Sequence, residues 1–274
     1  MASMPLMACA QSPAQNNSLL ARAPRDWIVD AANNEIAILK DNPVHLRYRM
    51  HVVDQRGEQL RDVIETKDGT VARVLARGDK PLTAEESKGE RDRLTSLMNS
   101  PQDYEKHAKN DASSRKMAVD MIKLMPDAMI YTYTPGQPDA GPGEGEGVVV
   151  MDYHPNPKWS PPSTLSEALT GLEGRVWIDA KTHTMVRMQG HIFKGVNFGW
   201  GMLAHIYPGG QLALEQTHIT GNRWIYLHFT EQITVRALMV KMLNLHTQID
   251  ASEFAVLPEA LTYQEAIRQL LATP

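Results

Sequence analysis

The stretch "GRVWIDAKTHTMVRMQG", Gly174 to Gly190, decides the fold reading. Two alternating apolar runs, Val176 with Ile178 and Val186 with Met188, flank the polar turn Asp179 to Thr184. Strict alternation bounded by turn residues is the signature of a half-buried β-hairpin. The simplest register places Ile178 beside Val186 and Val176 beside Met188, all on one face. The stretch holds no obvious nucleophile or metal cluster, and its Asp179 fits a turn residue that accepts backbone hydrogen bonds.

Working outward, the chain from Gly174 onward reads as a meander. Strands are expected at 175–179, 185–193, 202–207, 212–217, 224–231 and 238–248. Pro208-Gly209-Gly210 and Gly221-Asn222 supply the clearest turns between them. A terminal helix is expected over 263–271. Upstream, Asp26 to Lys40 carries a helical apolar stripe of Trp27, Ile28, Ala31, Ala32, Ile36, Ile38 and Leu39. "HLRYRMHVVD", His45 to Asp54, alternates as a strand; 60–65 pairs back on it, and after the Lys67-Asp68-Gly69 turn 71–77 makes a third strand. Thr83 with Glu86 forms a capping-box pattern that opens a helix ending near Ser100. A second helix covers 103–125, and strands follow at 128–135 and 148–153. The proline- and glycine-rich 135–147 reads as a surface loop, and 164–169 as a short helical turn.

Short connections make neighbouring strands antiparallel. The sum is an α+β fold: a curved, unclosed antiparallel sheet or barrel covered by helices. Residues 26–274 read as a single domain, because no composition break divides them.

The chain has 274 residues, a net charge of −4, and 22% charged residues. That balance lacks the basic footprint of a nucleic-acid binder or of an anionic-membrane surface binder. No apolar run approaches the roughly 20 residues that span a bilayer. Residues 1–10 read as the remnant of a secretory signal, with Ala8-Cys9-Ala10 as small-x-small before the cleavage point. The usual basic n-region is missing. Residues 11–25 read as a linker. Two alternatives stand beside export with cleavage: a lipoprotein box at Leu6 to Cys9 with Cys9 acylated, and an unstructured cytosolic start. Cys9 is the only cysteine.

Candidate chemistry is sparse. The ten histidines show no metal-ligand spacing; a pair such as His191 with His205 could meet only across strands. Ser163 and Ser166 lack a nucleophile elbow. "GEGEG" lacks the lysine and following helix of a phosphate loop. Methionine stands out, at 15 against four Phe. Met117, Met121 and Met125 form a stripe on the expected helix 103–125. Met185, Met188, Met202, Met239 and Met242 recur in the sheet. Methionine either fills a core or lines an adaptable apolar cavity. Read as a cavity, the lining candidates are Met117, Met121 and Met125 with Val176, Ile178, Val186 and Met188.

The hairpin at Gly174 to Gly190, with "GMLAHIYPGGQLALEQTHITGNRWIYLHF" after it and a helix before "HLRYRMHVV", resembles the outer-membrane lipoprotein-sorting superfamily (LolA/LolB-like, with RseB-type sensors). The resemblance spans most of 26–250. It implies a periplasmic, non-enzymatic protein with no cofactor, whose apolar cavity takes a lipid or an acylated lipoprotein. It also allows an outer-membrane lipoprotein anchored through Cys9. The insert at 135–147 and the "HPNPKWSPP" crossing do not map onto the sorting carriers. An envelope sensor that binds a protein partner on the same fold is the alternative. A hydrolase with a site assembled across strands is a third, and requires a polar pocket of clustered His and Asp or Glu.

Overall fold

The computed structural model describes residues 19–40, 43–67, 69–136, 147–198, 203–237 and 241–272. The expected leader, Cys9 and most of the expected linker lie outside the described residues, as do 137–146, Met202 and Met239. Helix α1 (Pro24–Lys40) begins where that linker was expected to end: Pro24 and Arg25 are already helical. Proline suits this place because a first-turn N–H has no intrahelical partner.

Three strands follow: β1 (Leu46–Asp54), β2 (Gly57–Thr66) and β3 (Gly69–Arg77). A two-residue strand, β4 (Lys80–Pro81), folds back on β3. Helix α2 (Ala84–Asn99) opens on the expected capping box. Thr83 Oγ1 accepts from the Glu86 N–H at 3.2 Å, and the Glu86 carboxylate accepts from the Thr83 N–H at 2.9 Å. Helix α3 (Pro101–Ala128) has 28 residues, which makes it about 42 Å long at 1.5 Å per residue.

The second half is mostly sheet: β5 (Met129–Tyr133), β6 (Val148–Pro155), a 3-10 turn (Leu165–Gly171), β7 (Leu172–Asp179), β8 (Met185–Ile192), β9 (Val196–Phe198) and β10 (Ala204–Ile206). Then come β11 (Gln211–Thr220), β12 (Arg223–Ala237), β13 (Lys241–Val256) and helix α4 (Tyr263–Ala272). The last helix opens on a second capping box, Thr262 with Glu265.

Among the described residues all thirteen strands join one antiparallel sheet that does not close into a barrel. The order is β4-β3-β2-β1-β13-β12-β11-β8-β7-β6-β5, with β10 and β9 continuing beside the far end of β12. The expected meander holds for β7, β8, β11, β12 and β13, but the strand expected at 202–207 is not inserted in it: β8 pairs directly with β11, and β10 (with β9) pairs beside β12 instead. Strand β1 joins through the last strand: Leu46 faces Val256 and Val53 faces Gln248. The final strand also extends to Val256, well past the expected 248. Asp250 to Ser252 stay extended because the ladder to β1 fixes their backbone where side-chain pattern alone does not; Glu253, at φ 54°, falls at the bulge where the register shifts.

The hairpin register differs from the simplest one. Val176 does face Met188, but Trp177 faces Arg187 and Ile178 faces Met185. Val186 is the extra residue of a β-bulge. It therefore leaves the face of Ile178 and packs with Val148, Val150 and Trp177 on the other side. Asp179 closes the turn, accepting from the backbone N–H groups of Lys181 at 3.0 Å and Thr182 at 2.6 Å. His183 sits in the left-handed region at φ 54°. Its ring meets Trp27 edge-on at 4.8 Å and bonds Asp30, so the turn is pinned to α1.

Two apolar clusters result. One joins Trp27 and Ile28 of α1 to the inner faces of β5 to β8, with Met121, Leu124 and Met125 of α3 packed against it. The other joins Ile64 and Val71 to Leu94, Tyr104 and α4. In it the rings of Tyr104 and Tyr263 stack at 3.7 Å. Helix α3 runs from one cluster to the other.

Candidate functional site

Between α1, α3 and the sheet lies a cavity of about 300 Å³. The stripe of α1 supplies Ile28, Ala31 and Ala32; α3 supplies Ala118, Met121, Ile122 and Met125; β7 and β8 supply Val176, Met185 and Met188. The small Ala31 and Ala32 side chains leave room where larger ones would meet the sheet. Tyr131 and Tyr153 also line the cavity, yet their hydroxyls point to other work. Tyr131 donates to the Met125 carbonyl at 3.0 Å, and Tyr153 to the Gln189 carbonyl at 2.9 Å. Both phenols are held neutral by burial, which raises their pKa. The rings present apolar surface to the cavity.

One end is polar. Glu35, only 5% exposed, sits on the apolar stripe of α1. Its carboxyl accepts from the Tyr226 hydroxyl and from Gln216 Nε2 at 2.9 Å. Burial, and then the adjacent Glu35 carboxyl, push the Tyr226 phenol well above its ordinary pKa. Tyr226 is therefore a fixed donor at neutral pH.

Glu35 and Tyr226 also form part of the wall of a second chamber, of about 420 Å³. This one is polar. It is bounded by the end of α1, the starts of β1 and β3, Arg115 of α3, and Arg223 to Tyr226 of β12. Arg223 is buried and pairs with Glu65, which also accepts from the Leu46 N–H. Burial raises the Glu65 pKa, and Arg223 opposes that shift.

Of the residues read from sequence as lining, Met121, Met125, Val176 and Met188 come together on this cavity. Met117 does not: it is 50% exposed, because it lies on the outer side of the α3 stripe. Ile178 is fully buried in the adjoining cluster without lining the cavity. Val186 faces away, displaced by the bulge. Cys9 lies outside the described residues. Sequence reading missed Glu35 and Tyr226. Glu35 was visible in principle as a carboxylate four residues after Ala31 and four before Leu39 on an apolar stripe.

The histidines stay scattered. His205 bonds Asn197 at 2.7 Å, and His191 lies 3.7 Å from Glu173. Among the described residues no three His, Cys, Asp or Glu side chains form a metal-holding group. Ser163 and Ser166 bond each other at the entry to the 3-10 turn. No described helix is long and apolar enough to cross a membrane. No protein-family model matches the chain, and a search of curated proteins likewise gives no match.

Proposed function

We propose that this protein binds an alkyl or acyl chain non-covalently, as a lipid- or lipoprotein-binding protein of the bacterial envelope without catalytic activity. The observation that carries the reading is the apolar cavity under α1 and α3, polar only at its Glu35–Tyr226 end. Its volume of about 300 Å³ is at the lower bound of ligand sites, roughly 300–1,000 Å³. It is also twice the ~150 Å³ of an apolar cavity that stays dry and takes benzene. Each methylene moved into it from water contributes about 0.8 kcal/mol. Four flexible methionine side chains, Met121, Met125, Met185 and Met188, can repack around chains of different length. The resemblance of the hairpin and meander to the lipoprotein-sorting superfamily favours the same reading and adds the periplasm as its setting.

The test is direct. The protein is purified without detergent and titrated with a fluorescent fatty acid, alongside Ala118→Trp. Ala118 is an exposed residue on the cavity lining, so an indole there covers the opening without overfilling the core. Saturable uptake by the native protein, lost in Ala118→Trp at unchanged melting temperature, is the expected result. No uptake by the native protein overturns the proposal.

A further inference from the structure

We propose that the polar chamber beside the cavity receives the anionic head, phosphate or carboxylate, of an amphiphile whose chain occupies the cavity. The inference rests on the chain-binding reading above and names the ligand class. Three observations carry it.

The two spaces adjoin and differ in kind. Glu35 and Tyr226 belong to both walls, with apolar residues on one side and, on the other, charged residues set among apolar ones. A molecule with one apolar and one charged end matches that division.

The carboxyl groups of the chamber are already used. Glu35 accepts from Tyr226 and Gln216, and Glu65 accepts from Arg223 and the Leu46 N–H. A cationic head would have to compete for them.

The cations, in contrast, are not all used. Arg223 is more than nine-tenths buried, and its terminal nitrogens serve Glu65 and the Trp224 carbonyl. At the rim stand Lys40, Lys67 and Arg115, exposed and in no salt bridge among the described residues. Only longer-range attraction reaches two of them, Lys40 from Asp120 and Lys67 from Glu265. Cations around a concave site draw and hold anions. An anionic oxygen group is the chemistry that answers them.

The experiment measures binding of decyl phosphate, decanol and inorganic phosphate, each below any micelle-forming concentration, to the native protein and to the double variant Lys40→Gln/Arg115→Gln. Both substituted side chains are exposed, and a melting curve checks that the variant folds. Decyl phosphate is expected to bind at least tenfold tighter than decanol, with the advantage shrinking severalfold in the double variant and at high salt. Equal binding of decyl phosphate and decanol overturns the head-group assignment and leaves chain binding standing. Binding of neither overturns chain binding, and the inference with it. Inorganic phosphate binding as tightly as decyl phosphate makes the chamber a free-anion site and overturns the link between the two spaces.

Discussion

Gly174 and Gly190, the two ends of the decisive hairpin stretch, face each other across β7 and β8, and the hydroxyl of Tyr153 lies over both. The Tyr153 ring lines the cavity and its hydroxyl reaches the Gln189 carbonyl. This works because neither glycine carries a side chain. A Cβ at Gly174 would fall 1.9 Å from the Gln189 oxygen, which is backbone and cannot swing away. At Gly190 the nearest atoms, at 2.8 and 2.9 Å, belong to the side chains of Leu172 and Leu212. Overpacking costs roughly 1–3 kcal/mol. Gly174→Ala is therefore expected at or above the upper end and Gly190→Ala near the lower. Urea unfolding of the two variants gives the comparison; equal losses would contradict the geometry.

The Glu35 cluster yields a second expectation. Tyr226→Phe removes the hydroxyl donor and leaves a buried carboxyl with Gln216 alone. Hydrogen bonds to charged groups contribute about 1.5–3 kcal/mol. The variant should lose stability in that range while keeping the fold, as read by denaturant midpoint and circular dichroism.

Acid should loosen the contact between α1 and the β7–β8 turn. Asp30 bonds Arg22 and His183, and its pKa is lowered, chiefly by the Arg22 hydrogen bond, against an opposing burial effect. A depressed carboxylate pKa adds stability that is complete above the unfolded value, about 3.9, and is lost as pH falls through the lower folded value. Stability should drop below about pH 4 more steeply in the native protein than in Asp30→Asn. Parallel profiles for the two proteins would remove Asp30 from the account.

Asp62 anchors the opposite half of the sheet. It is 1% exposed, and Arg47 grips it with two hydrogen bonds at 3.0 and 2.6 Å. Arg49 lies 2.6 Å from the same carboxylate. Removing one partner of a buried pair costs about 3–5 kcal/mol. Both arginines are a quarter or more exposed and can turn to water, so Asp62→Ala should cost near 3 kcal/mol. A thermal melt of the variant reads the loss.

Local signals in the sequence survived into the fold. The Thr83–Glu86 capping box, the alternation of β1, the stripe of α1 and the Asp179 turn each depend on residues within a few positions of one another. What stayed hidden depends on distant partners or on a one-residue irregularity. Nothing near Leu46 announces that it faces Val256. The bulge that expels Val186 is invisible in an alternating pattern, which continues through it. The cavity was half legible: the methionines of α3 and β8 were visible as a stripe, and Met117 was misplaced by one turn of that helix. Glu35 acquires its meaning only from Gln216 and Tyr226, which lie 181 and 191 residues away.

The pairing of β1 with β13 also sets an order of events. Contacts between distant segments carry a loop-closure cost before they return any stability. The strands from β1 to β4 can form their hairpins early, yet they join the rest of the sheet only after residues 241–256 exist. A nascent chain emerging at roughly 5–20 residues per second thus holds one edge of β1 unpaired for many seconds. That open edge is a template for pairing with another chain, so a slow or truncated synthesis would favour aggregation there.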